Sequence, residues 1–249
     1  MKKIVIGLIC GLSILVSSML QAAEQDVQRY IEVFSGSTSW LQLEALNQLQ
    51  WSGLSDTRVF DLVEKNLVAT YPNAVSKEAL DLVSWYAKSL GTSGLDKYQG
   101  TLQKIADSDS HKKIRKYARE GLDNLKKYKV WNPIIANQDN INPDKPESIN
   151  GFANMLRSSD WSLRNIAAKR MLADNILDEY LLNVLDGALK KEYQNDYTDK
   201  LRVMTIALMT KAMAASGNAK YKPTVIEVAN SAGSKKVRKY ANKYLRQYY

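Results

Sequence analysis

The sequence predicts an all-α protein: a right-handed α-solenoid of about six helical hairpins, built as a tandem duplication of three-hairpin halves. Three observations predict it. Apolar residues fall at helical spacing, as at Val59, Phe60, Val63 and Leu67 or at Leu201, Met204 and Leu208, and no stretch alternates at period two. Second helices of successive pairs are expected near residues 39, 76, 111, 160, 198 and 234, a step of about 37 residues with one longer interval. The second half of the chain also repeats the first.

That repeat is plainest between Ser108–Leu122 (SDSHKKIRKYAREGL) and Ser231–Leu245 (SAGSKKVRKYANKYL), at an offset of 123. Over residues 93–126, 14 of 34 positions are identical at this offset, so chance is excluded. Upstream the match continues with slips of one residue. Leu54, Asp56, Leu67 and Tyr71 pair with Ile176, Asp178, Leu189 and Tyr193, and Tyr30, Val33 and Phe34 with Phe152, Met155 and Leu156. Trp40 is aligned with Trp161.

In chain order, residues 1–22 form a candidate signal peptide. Lys2 and Lys3 precede an uncharged run from Ile4 to Leu20, which ends in Gln21-Ala22-Ala23. A positive start, an apolar middle and small residues at the end are the three parts of an export signal. Cys10 lies inside that run behind Ile9, which disfavours a lipid-modified cysteine. Residues 23–128 should hold hairpins one to three and residues 147–249 hairpins four to six. Between them, 129–146 carries Pro133, Pro143, Pro146 and several Asn and Asp, the chemistry of a junction. Helix starts are expected at Ser55, Ser76, Ser110, Asp160, Asp178 and Asp196, and helix ends at Gly91, Gly94 and Gly217. A single pair cannot bury its apolar face alone, so neighbouring pairs must stack.

These residues resemble HEAT repeats. That family places Asp or Asn in the turn between helices A and B of a pair, then an aliphatic-Arg step, Ala and Leu in helix B. Asp109, Ile114-Arg115, Ala118 and Leu122 fit it, as do Asp160, Leu163-Arg164, Ala167 and Met171, and Val237-Arg238, Ala241 and Leu245. Trp40 and Trp161 stand where the family often has Pro. The resemblance implies an α-solenoid scaffold, commonly protein-binding, in an exported bacterial member. It also implies that Arg115 and Arg238 tie neighbouring repeats to turn aspartates. It implies no chemistry, because fold does not fix function.

Charge supplies the functional candidates. The formal net charge is +9, and loss of Lys2 and Lys3 with the signal leaves +7. A basic balance favours acidic partners. Lys112, Lys113, Lys116 and Arg119 form one candidate binding cluster, and Lys235, Lys236, Lys239 and Lys243 the other. Lys112, Lys116 and Arg119 share a helical face, and Lys235, Lys239 and Lys243 repeat it. Two equivalent basic faces are therefore expected; the plain alternative is a solvated outer surface. Tyr117 and Tyr240 fall on the apolar face and are expected in the core, as are Trp51, Trp85 and Trp131.

Catalysis finds little support. Cys10 is the sole cysteine, so the mature chain has neither disulfide nor thiol nucleophile. The lone histidine, His111, makes no metal site, and acid pairs such as Asp178-Glu179 sit at helix starts, where carboxylates cap amides. No catalytic residue, cofactor or metal is assigned. The expectation is an exported periplasmic or secreted scaffold of a Gram-negative cell that binds a protein or an acidic envelope polymer. No membrane span is expected in the mature chain, and nucleic acid is not expected as partner. An immunity-like inhibitor of an imported toxin is the alternative. A basic solenoid DNA glycosylase is a further one, which export disfavours.

Overall fold

The computed structural model describes residues 24–249, and every regular element among them is helical. The expected signal peptide and Cys10 lie outside the described residues. The chain divides into two compact units, Met1–Ser148 and Ile149–Tyr249. No helix among the described residues is long and apolar enough to cross a membrane.

Unit 1 holds α1 (24–35), α2 (Ser39–Ser52), α3 (Thr57–Thr70), α4 (Lys77–Leu90), α5 (Gln99–Ala106) and α6 (Lys112–Ile135). Consecutive helices pair, and the second helices α2, α4 and α6 pack side by side. Their starts fall within a residue of the expected 39, 76 and 111. Local chemistry marks helix starts: Asp56, capping α3, accepts from the Arg58 amide at 2.8 Å, and Ser76, capping α4, from the Ala79 amide at 3.1 Å. These bonds satisfy amides that lack helical partners. The core runs through Leu46, Leu49, Phe60, Leu67, Tyr86, Leu90, Leu102, Ile105 and Ile114, all buried. At the α4–α6 crossing the backbones touch. A Cβ on Gly91 would strike the Gly121 carbonyl, and one on Gly121 the Ala87 carbonyl.

Unit 2 holds α7 (Glu147–Arg157, beginning two residues before the boundary), α8 (Trp161–Ala173), α9 (Glu179–Glu192), α10 (Lys200–Ala215), α11 (Lys222–Ser231) and α12 (Lys235–Tyr248). Helix α10 packs on α8, α9, α11 and α12. Val203, Thr205, Ile206, Ala207, Met209, Ala212 and Met213 are accordingly buried around its circumference, and a helix apolar all round is one enclosed by neighbours. Its cap is Asp199, which accepts from the Arg202 amide at 2.9 Å, three residues beyond the expected Asp196.

The duplication is visible in side-chain bonds. Tyr98 donates to Asp61 at 2.8 Å and Thr101 to Glu64 at 2.5 Å; Tyr221 donates to Asn183 at 2.9 Å and Thr224 to Asp186 at 2.7 Å. Gly94 and Gly217 both hold the left-handed conformation, φ 66° and 63°, that ends the helix before them.

Two further expectations change. Helix α6 carries on through Pro133 to Ile135, seven residues into the stretch that composition assigns to the junction. Proline costs one backbone bond in that last turn, and Asn132 and Ile135 anchor the turn by burial. At about 36 Å, α6 is long enough to reach the α2–α3 loop. There Tyr128 donates to the Gln50 carbonyl at 2.9 Å, and Asn132 donates to the Leu54 carbonyl at 3.1 Å and the Thr92 carbonyl at 2.8 Å.

The second change is the alignment of Trp40 with Trp161, which is one residue out. Gln42 donates to the Gly36 carbonyl at 2.8 Å and Arg164 to the Ser158 carbonyl at 2.5 Å, the same bond 122 residues apart. Trp40 therefore occupies the position of Ser162, and Trp161 that of Ser39.

Candidate functional site

The two basic helices begin alike. In each, the fourth residue is an arginine that folds back onto its own turn. Arg115 donates to the Ser110 carbonyl at 3.1 Å, and Arg238 to the carbonyls of Ala232 and of Gly233, the latter at 2.9 Å. The tie to turn aspartates implied by the family resemblance is thus replaced by a tie to backbone carbonyls. Only Arg164 also meets a carboxylate of the next hairpin, Glu192 at 2.8 Å.

Beyond that turn the helices differ. On α6 three of the eight cations have carboxylate partners. Lys113 pairs with Asp81 of α4, Lys116 lies 3.8 Å from Glu120, which also faces Lys88, and Lys129 lies 2.6 Å from Asp96. Arg119 donates to the Ala106 carbonyl at 3.0 Å. It also lines an open cavity of about 510 Å³ between α5 and α6, whose walls carry Asp96, Asp107 and Asp123 as well as Lys126. Among the candidates on α6, Lys112 and Arg119 are exposed without an ion pair, as are Lys126 and Lys127 further along the helix.

On α12 nothing answers them. The helix holds Lys235, Lys236, Arg238, Lys239, Lys243 and Arg246 and no carboxylate. All but Arg238 are exposed, and no acid among the described residues lies within ion-pairing distance of those five. At 100° per residue they occupy one third of the helix circumference, opposite the buried Val237, Ala241 and Tyr244. The stripe runs from Lys235 to Arg246, about 16 Å.

The duplication explains the difference. At the offset of 123, Asp81, Glu120 and Asp123 of unit 1 become Met204, Lys243 and Arg246 of unit 2. Every acid that serves the α6 cluster has been replaced by a neutral or cationic residue. The expected two equivalent basic faces are therefore one partly compensated cluster and one uncompensated stripe. The signal was present in the sequence, in the acids that fail to recur rather than in the lysines that do.

The aromatic expectations hold in part. Tyr117 and Tyr240 are half-buried, Tyr117 edge-on to Trp85 and Tyr240 stacked on Tyr244. Trp51, Trp85 and Trp131 are also half-buried. In unit 2 Trp161 is covered by its own chain: the Arg164 guanidinium lies 4.8 Å and the Arg202 guanidinium 5.6 Å from its ring, and Tyr197 meets it edge-on at 5.2 Å. Beneath them, burial pushes the Glu192 carboxyl up, but the Arg164 and Tyr197 hydrogen bonds prevail and hold it below the usual range.

His111 caps α6, its Nδ1 accepting from the Lys113 amide at 3.2 Å. Asp178 caps α9, and Glu179 pairs with Lys220 at 2.8 Å. Among the described residues no cluster of His, Cys, Asp and Glu could hold a metal ion.

No family model and no curated protein matches this chain. Among solved structures, that of human deoxyhypusine hydroxylase in complex with glycerol is similar over 88% of this chain and 83% of that one, at 12% sequence identity and a TM-score of 0.35. No residue role is transferred from it.

Proposed function

We propose that this protein is an exported, non-catalytic helical-repeat scaffold of the HEAT type that binds an acidic partner through α12. The partner is the acidic face of a protein or an anionic polymer of the cell envelope. The observation that carries this reading is the stripe of five exposed cations without a carboxylate. A solvated helix needs polarity, which mixed charges can supply; a single sign without counter-charges generates a field that attracts anions. Export rests on the signal-like pattern of residues 1–22 and places the stripe among envelope components rather than nucleic acid.

The test is photo-crosslinking in living cells from position 239, combined with pull-down. Capture should yield an acidic partner, and Lys235→Glu, Lys239→Glu and Lys243→Glu together should abolish it. Lys112→Glu with Lys116→Glu should leave it intact. Capture that survives the α12 changes defeats the assignment of the surface. N-terminal sequencing of the native protein should give a start at Ala23, and an intact Met1 would defeat export.

A further inference from the structure

Unit 1 carries an uncovered indole. Trp40 is 66% exposed, whereas the other four tryptophans are at least half-buried. Three of those indoles have covers: Lys88 lies 5.0 Å from the Trp85 ring, Tyr128 meets Trp131 at 5.2 Å, and Arg164, Arg202 and Tyr197 enclose Trp161. Trp40 has no aromatic or cationic neighbour among the described residues. The one-residue shift of Trp40 relative to Trp161 explains this, since it turns the ring 100° around the helix, away from the core stripe of Gln42, Ala45, Leu46 and Leu49.

The surroundings define what would fit. Leu41 is 36% and Val75 88% exposed, and Val75 immediately precedes the cap of α4, the helix packed beside α2. Glu44, one turn along from Trp40, is exposed and accepts only from Gln48, at 3.4 Å. Glu78, in the first turn of α4, is exposed with no ion pair. On α2, Glu44 shares the face of Trp40, opposite the buried stripe. In a chain of net charge +9, the N-terminal parts of two helices packed side by side thus present an exposed indole, two exposed apolar side chains and two carboxylates without ion pairs. The face of an indole attracts a guanidinium, and flanking carboxylates add to that attraction.

We propose that Trp40, Leu41 and Val75, with Glu44 and Glu78, form a docking site for a partner protein that presents an arginine among apolar residues. The partner's guanidinium covers Trp40 as Arg164 and Arg202 cover Trp161, and its apolar neighbours cover Leu41 and Val75. This site is independent of the α12 stripe and selects the opposite charge.

The test is ¹⁹F NMR of the purified protein labelled with 5-fluorotryptophan, the Trp40 resonance being assigned by its loss in Trp40→Phe. The probes are acetyl-Leu-Arg-Leu-amide and its citrulline counterpart, which keeps the shape and loses the charge. The arginine peptide should move the Trp40 resonance saturably and leave Trp161 unmoved. The citrulline peptide should bind about three- to tenfold more weakly. Glu44→Gln with Glu78→Gln should weaken the arginine peptide by a similar factor, with the circular dichroism spectrum unchanged. An unmoved resonance, equal shifts with both peptides, or a Trp40 resonance that depends on protein concentration without peptide, as self-association would produce, overturns the proposal.

Discussion

At the scale of single residues, Asn132 shows how much one side chain can secure. It is 3% exposed, and its amide donates to the Leu54 and Thr92 carbonyls and to Ser55 Oγ, closing the end of α6 over loops about 40 and 80 residues earlier in the chain. Asn132→Ala strands those carbonyls in the core. Urea unfolding should show a loss of about 2–3 kcal/mol, whereas Lys112→Ala on the same helix should change stability by about 0.5 kcal/mol or less. Neither role of Asn132 was legible beforehand. An Asn beside Pro133 in a stretch rich in Asn, Asp and Pro has the composition of a loop, and only the partners across the fold hold it in a helix. Gln42 was obscured for a related reason: it makes the bond to the turn that arginine makes in α8, so hairpin one keeps the geometry of the motif without its letters.

At the scale of elements, helix existence and order were legible, because burial of one face imposes its period on the sequence and caps mark the starts. Ser76, Asp160 and Asp178 cap the helices expected of them. Ser55, Ser110 and Asp196 do not: Asp56 and His111, one residue later, cap α3 and α6, and Asp199 offers the same chemistry three residues after Asp196, so α10 begins there. How closely two helices approach was not legible, since that depends on which small residues coincide at a crossing. Gly91 and Gly121 coincide between α4 and α6, while the counterpart of Gly121 in unit 2 is the buried Tyr244. Gly121→Ala should force α4 and α6 apart and cost about 1–3 kcal/mol. Gly187→Ala, in mid-α9 with open space around the new methyl group, should add about 0.4–1 kcal/mol. Parallel urea melts of the two variants check both signs, and a stabilised Gly121→Ala would mean that the crossing is looser than described.

At the scale of the whole molecule, the duplication was legible and its consequence was not. Matching lysines suggested matching faces. The faces diverged through the acids, and a counter-charge on another helix, such as Asp81 for Lys113, becomes evident only when the helices are packed. The two copies now carry different surfaces: in unit 1 a partly compensated α6 and an exposed tryptophan, in unit 2 an uncompensated cationic helix and a tryptophan enclosed by arginines. The most direct check on that division of labour is the affinity of a fluorescein-labelled poly-L-glutamate, followed by anisotropy across a salt series. Lys235→Gln, Lys239→Gln and Lys243→Gln together should weaken binding about tenfold or more at low salt and flatten the salt dependence, while Lys112→Gln, Lys113→Gln and Lys116→Gln together should leave both within about twofold. Equal losses from the two triple variants, or an affinity indifferent to salt, would contradict the account.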